Sequence, residues 1–212
     1  MFKSINNYSK LLQVFLVIGL AAAWSATNVS VAQDFIELRF GASITGTDPG
    51  ELNEQIKSLG LDAGSISGFN FDVYVNLPLL PIGAGLRYEW SSQDQSTSSN
   101  NFKLDVNNIS LLVDWRIIDN ALFYLGPLIT LGYPSGAFKL IEEGVESTAD
   151  IDHDQISYAL AVEGGIRISM FIIGAELGYT SVKLKSPGFF EITPQVDMSG
   201  FFARLQVGIG IL

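Results

Sequence analysis

Apolar and polar residues alternate with a period of two along most of the chain, in segments of ten or so residues parted by polar or turn-forming stretches. Successive side chains of a strand point to opposite faces, so each segment predicts a strand with one apolar and one polar side. The first, Asp34 to Ile44, sets Ile36, Leu38, Phe40, Ala42 and Ile44 against Glu37, Arg39, Gly41 and Ser43. The second, Ser67 to Leu77, alternates Phe69, Phe71, Val73 and Val75 with Asn70, Asp72, Tyr74 and Asn76. The third, Pro81 to Trp90, sets Ile82, Leu86, Tyr88 and Trp90 against Gly83, Gly85, Arg87 and Glu89. In the fourth, Phe102 to Arg116, Ile109, Leu111, Val113 and Trp115 oppose Asn108, Ser110, Asp114 and Arg116, with Leu112 on the polar side. Its first half, with Asp105 and Asn107, is expected to project beyond a bilayer.

The fifth segment, Leu122 to Tyr133, sets Phe123, Leu125, Ile129, Leu131 and Tyr133 against Tyr124, Gly126, Thr130 and Gly132, and Pro127 inside the run predicts a bulge. The sixth, Gln155 to Ser169, opposes Ile156, Tyr158, Leu160, Val162 and Ile166 to Ser157, Glu163, Gly165 and Arg167. The seventh, Ile172 to Val182, opposes Ile173, Leu177 and Tyr179 to Gly174, Glu176 and Gly178, and the eighth, Ser199 to Leu212, opposes Phe201, Leu205, Val207 and Ile209 to Arg204, Gln206 and Gly208. Connections after the second, fourth and sixth segments are short (78–80, 117–121 and 170–171), while those after the odd segments run to ten residues or more. Eight strands with short turns at one end and long loops at the other predict an all-β fold, an eight-stranded antiparallel up-and-down transmembrane β-barrel.

Alternation also fits a soluble barrel, which turns its apolar face inward; three features place it outward instead. Aromatic residues of the apolar face gather near strand ends, with Phe69, Tyr88, Trp90, Tyr133, Tyr158, Tyr179 and Phe201 toward the long loops and Trp115 and Phe123 toward the short turns, as membrane girdles require. The polar face mixes glycines with Glu37, Asp72, Glu89, Asp114, Glu163 and Glu176 and with Arg39, Arg87, Arg116, Arg167 and Arg204, and carries no lysine. Planar guanidinium groups can satisfy carboxylates in pairs inside a narrow lumen, whereas a solvated face would carry lysine too. The long loops are polar, and a sheet in hydrocarbon must close on itself because it cannot leave an edge unpaired.

Before the first strand, Lys3 and Lys10 flank an apolar stretch, Leu11 to Ala23, followed by Ser30-Val31-Ala32, the pattern of a secretory signal. Cleavage is expected after residue 32, leaving 33–212 as one barrel domain. Loss of two lysines leaves 10 basic against 22 acidic residues, a formal charge of −12. Nucleic acid is thereby an unsuitable partner. The absence of cysteine excludes disulfides, thiolate metal sites and a lipid-bearing cysteine.

In architecture, the region from Asp34 to Leu212 resembles the small outer-membrane barrels of the OmpA/OmpX type, although none of its motifs is specific to one subfamily. The resemblance implies export to the cell outer membrane and contact there with outer-membrane lipids and lipopolysaccharide. It also implies assembly by the outer-membrane insertion machinery, and a monomer. The last strand of such barrels usually presents a terminal aromatic to that machinery, whereas this chain reads Gly208-Ile209-Gly210-Ile211-Leu212.

Candidate chemistry is sparse, and no cofactor is expected. His153 stands in the third long loop within Asp150-Ile151-Asp152-His153-Asp154, near Glu142, Glu143 and Glu146, and this spacing matches no calcium-loop pattern. A lipid-modifying enzyme would need a histidine, a serine and a carboxylate within reach of one another, and His153, Ser157 and Glu163 are the candidates. Eight strands enclose a space that side chains can fill, so the inward charges are expected to pair as a structural plug, with a narrow channel or an uptake route for small hydrophobic molecules near Pro127 as alternatives. The loops 46–66 and 91–101 are expected to be exposed surface able to meet partners.

Overall fold

A computed structural model of the chain describes residues 35–47, 64–77, 80–97, 100–142, 145–151, 155–185 and 195–211. The expected signal, most of the first loop and His153 lie outside these residues. Eight long strands form the wall: β1 (Ile36–Gly46), β2 (Ser65–Asn76), β3 (Ile82–Ser96), β4 (Asn100–Trp115), β5 (Phe123–Glu142), β6 (Ser157–Ile168), β7 (Phe171–Ser181) and β8 (Gly200–Ile211). Each pairs antiparallel with its sequence neighbours, and β8 returns to pair with β1 from Ile36↔Ile211 to Thr45↔Phe202, closing the barrel. β6 and β7 are joined by the two-residue turn Ser169–Met170, in which Ser169 has φ 57°, the left-handed conformation that such tight hairpins use.

The pairings fix the barrel's dimensions. A circuit from Ile36 through Val75, Ala84, Val113, Ile129, Leu160, Tyr179 and Phe201 returns to β1 opposite Gly46, ten residues beyond its start. With strands ~4.8 Å apart and ~3.3 Å per residue, this stagger tilts the strands by about 40° and gives a backbone radius of roughly 8 Å. Side chains from opposite walls therefore meet at the axis.

The faces are inverted relative to a soluble barrel. Ile109, Leu111, Leu131, Leu160, Leu205 and Phe201 stand exposed on the outside, Phe201 at 78%, whereas Glu37, Asp72 and Glu176 inside have no accessible surface. Such a molecule is stable only where hydrocarbon covers its exterior. All nine girdle aromatics point outward. Toward the long loops Phe69 stacks between Phe40 and Trp90 at centroid distances of 6.0 and 6.3 Å, and Tyr179 meets Phe201 edge-on at 5.4 Å.

β3, β4 and β5 continue past this aromatic level, where the outward face of all three turns polar and the inward face of β4 and β5 turns apolar. On β4 the outward series Trp115, Val113, Leu111, Ile109 becomes Asn107, Asp105, Lys103, Asn101, while the inward series Asp114, Ser110, Asn108 becomes Val106, Leu104, Phe102. On β5 the change comes between Tyr133 and Ser135, and on β3 after Trp90. The rows match across the sheet, since Trp90 pairs with Asn107 and Asn107 with Ser135. On each of these strands the outward face passes there from lipid-facing to water-facing residues. Two stretches expected as loops belong to this extension: Ser92 to Ser96 continues β3, and the region after Tyr133 forms a hairpin of β5 with Val145–Ile151. On β3 both faces are polar there, and on β5 the apolar Phe138 and Leu140 fall on the inward parity, so neither stretch continues the outward apolar stripe that marks the strands below.

The bulge expected at Pro127 falls between β4 and β5. The register passes from Asp114↔Leu128 to Ile118↔Leu125, an advance of one residue, while β5 pairs with β6 without interruption through Pro127↔Val162. At the same point a Cβ on Gly126 would lie 1.8 Å from the Trp115 carbonyl oxygen, so only glycine permits the approach. The short strand Ile118–Asp119 that follows β4 was expected to be merely a turn.

Candidate functional site: the charged lumen and its apolar cap

The inward parity of the strands delivers all eleven residues of the charged set to the lumen, where they form two clusters. Toward the short turns, Glu37 is the hub. It accepts from Arg39 Nε at 3.0 Å and from Arg39 Nη2, from Arg116 Nη1 and Nη2 at 2.8 and 3.1 Å, and from Asn76 Nδ2 at 2.8 Å. Arg39 reaches across the barrel to Glu163 at 2.5 Å, and Arg116 Nε donates to Asp114 at 2.7 Å. Arg167 pairs with Asp119 at 2.5 Å and stands 3.7 Å from Glu37.

Two tyrosines knit this cluster together. The Tyr74 ring lies under the Arg39 guanidinium at 4.4 Å and its hydroxyl donates to Glu163 at 3.3 Å. Tyr124 lies within 4.8 to 5.1 Å of the guanidinium carbons of Arg39, Arg116 and Arg167. It has room because Gly165, its cross-strand partner, and Gly174 beyond it leave the adjoining wall flat: a Cβ on Gly165 would sit 2.7 Å from the ring, and one on Gly174 2.7 Å from the hydroxyl.

Toward the long loops, Arg87 forks onto Asp72 with Nε at 2.8 Å and Nη2 at 2.6 Å, and spans the barrel to Glu176 with Nη1 at 3.1 Å and Nη2 at 2.5 Å. Arg204 joins Glu176 at 2.5 Å to Glu89 at 2.6 Å. Asn70 and Gln206 donate their amides to Asp72 at 2.8 and 2.6 Å. All of these side chains except Glu89, at 18%, are essentially inaccessible. Low dielectric strengthens such bonds and makes each partner's removal costly.

Above the upper cluster the lumen becomes apolar. Phe102, Leu104, Val106 and Phe138 of the extension pack with Ile66, with Leu184 of a ribbon formed by Lys183–Lys185 and Gln195–Asp197, and with Met198 just after that ribbon. Phe102 and Phe138 meet edge-on at 5.3 Å. Between cap and charges lie small cavities of about 50 and 30 Å³ bordered by Thr45, Glu89, Asn108 and Thr180.

Besides Asn76, three members of the lower cluster were absent from the charged set read in the sequence. Asp119 sits in a two-residue strand too short to show alternation. Tyr74 and Tyr124 fall on the inward face by parity; a tyrosine among inward arginines was the available signal. The catalytic trio is not assembled among the described residues: Ser157 Oγ donates to Asn108 at 3.2 Å, and Glu163, paired with Arg39, lies six residues along the same strand, roughly 20 Å away. Among the described residues no group of three or more acidic, histidine or cysteine side chains could hold a metal ion.

No protein-family model and no curated protein matches the chain. Solved structures similar to it include Ail, the attachment invasion locus protein of Yersinia pestis, at 15% identity and a TM-score of 0.48, over 82% of this chain and 94% of that one. Neisserial surface protein A is similar at 14% identity and a TM-score of 0.47, over 83% and 97%. The translocator domain of autotransporter NalP from Neisseria meningitidis is similar at 10% identity and a TM-score of 0.39, over 95% and 97%. The chain shares the fold of small eight-stranded outer-membrane barrels, an assignment that its own closed pairing and inverted faces carry.

Proposed function

We propose that the protein is a monomeric, plugged barrel of the cell outer membrane that works at the surface through its extension and acidic loops, without conducting solutes or catalysing a reaction. The observation carrying this reading is the set of ion pairs that bridge opposite walls, Arg39 to Glu163 and Arg87 to Glu176, beneath an apolar cap. Opening a path would require breaking buried pairs and separating the Phe102–Leu184 cluster at once. Residues 1–32 act as the export signal and the insertion machinery closes the sheet; the mature N-terminus, read by mass spectrometry, is expected at Gln33.

Planar-bilayer recording of the purified protein tests the plug. The expected result is a silent membrane under conditions in which the protein still shows the heat-dependent gel shift of a folded barrel. Reproducible unitary conductance steps from the wild-type protein would replace this reading with a narrow channel.

A further inference from the structure

We propose that the larger chamber between the apolar cap and the upper charge cluster binds one small monovalent cation, sodium or potassium, held by Glu89 and the hydroxyl of Thr45. The inference rests on the plugged-barrel reading and adds a ligand to it.

The first ground is charge. Asp72, Glu89 and Glu176 share two guanidinium groups, those of Arg87 and Arg204, so the upper cluster is one positive charge short. The lower cluster cannot lend one, because Glu37, Asp114, Asp119 and Glu163 face only Arg39, Arg116 and Arg167. An uncompensated carboxylate inside a wall surrounded by hydrocarbon and beneath an apolar cap is costly. The shortfall falls on Glu89. Its Oε1 accepts from Arg204 at 2.6 Å and from Ser43 at 3.1 Å, whereas its Oε2 has no hydrogen bond or ion pair among the described residues.

The second ground is the chamber that Glu89 borders. Its volume of about 50 Å³ leaves room for roughly three or four water-sized particles. The hydroxyls of Thr45, Ser91 and Thr180 line it beside the carboxylate, under a roof that includes Val106 and Met198. Thr45 is nine-tenths buried, yet its hydroxyl makes no hydrogen bond among the described residues. Thr180 donates its hydroxyl proton to the Tyr158 carbonyl at 3.5 Å, which leaves its oxygen lone pairs for a cation. Protein oxygens of this kind can replace the hydration shell of an alkali ion. Among the described residues Glu89 is the one acid bordering the chamber, too little charge for a divalent ion, which gathers several carboxylates. Arg87 and Arg204 border the neighbouring cavity of about 30 Å³, while no basic side chain among the described residues borders the larger one, so the cation belongs in the larger.

The test measures the urea unfolding midpoint of the full-length barrel in lipid vesicles, in sodium, potassium or N-methylglucamine chloride at constant total chloride. N-methylglucamine matches the charge but is too large for the chamber. At least one alkali ion should raise the midpoint saturably over N-methylglucamine, by about 1 M at roughly a hundredfold excess over its dissociation constant. Glu89→Gln should abolish the rise, and Thr45→Val, which removes the hydroxyl at nearly constant volume, should weaken the apparent affinity roughly fivefold. Asp94→Asn, at an exposed acid on the outward face of the extension, should keep the rise intact. If Glu89→Gln does not fold, Thr45→Val carries the test. Identical midpoints in the three chlorides overturn the proposal and leave a proton on Glu89 to balance the chamber. A rise that survives Glu89→Gln, is untouched by Thr45→Val or disappears in Asp94→Asn also overturns it, because the cation then binds elsewhere. The heat-dependent gel shift and bilayer recording of the same samples keep a failure of the cation site distinct from a failure of the plugged barrel.

Discussion

Replacing Arg87 with alanine probes the plug at its upper cluster. Its guanidinium supplies two bonds to Asp72 and two to Glu176, and so ties β2 and β3 to β7 across the axis. The upper cluster holds three carboxylates, Asp72, Glu89 and Glu176, against two arginines; without Arg87, Arg204 alone faces all three. Asp72 keeps the amides of Asn70 and Gln206, but Glu176 is left with only Arg204. Stranding a buried carboxylate costs about 3 to 5 kcal/mol. With a urea dependence of ~2 kcal/mol per molar, the unfolding midpoint should drop by about 2 M. Tryptophan fluorescence of the protein in lipid vesicles, with the gel shift as a second probe, measures it. Arg87→Met combined with Glu176→Gln should recover part of the loss, because the stranded charge is then gone. A midpoint for Arg87→Ala within 0.3 M or so of wild type would refute the reasoning, since a cost that small means the site is wet and the carboxylates are solvated.

Four further substitutions test the wall, the lumen and the cap. Leu111→Arg, on the lipid face, should destabilise by about 2 to 4 kcal/mol, whereas Ser96→Arg on the extension should change urea stability by less than about 0.5 kcal/mol; equal effects would displace the membrane boundary drawn at Trp90 and Asn107. Gly165→Ala should cost about 1 to 3 kcal/mol in the same titration, because its Cβ would press on the Tyr124 ring and on the Ile173 carbonyl at 2.6 Å; unchanged stability would mean the ring does not rest there. Leu184→Asp puts a charge into the apolar cap, and should release the ribbon to proteolysis from outside while the protease-resistant barrel core survives. An unaltered digestion pattern would show that the cap is not closed by that residue.

Much of this architecture was legible from a single rule applied strand by strand. A wall one residue thick between lipid and a polar lumen forces strict alternation, so Glu37 and Arg39, or Arg87 and Glu89, announce their face from sequence spacing alone. Strand number, the outward aromatics and the membership of the charged interior follow from the same parity. Partners do not, because an inward side chain can reach several walls: Arg39 chooses the adjacent Glu37 and the distant Glu163, and Arg87 the neighbouring Asp72 and the far Glu176, only once the ten-residue stagger sets which residues share a level. The projection of β4 was legible, but the continuations of β3 and β5 and the apolar interior they share with it were hidden for the complementary reason. Beyond Asn107 the solvent outside changes from lipid to water, so the same parity carries the opposite polarity, and Phe102 and Leu104 turn inward as a cap where Ser110 and Asp114 turn inward as a lumen. Alternation along the chain determined which side chains face each other across the wall, while closure of the sheet decided which of them meet, because contact depends on height around the barrel and height is a property of register.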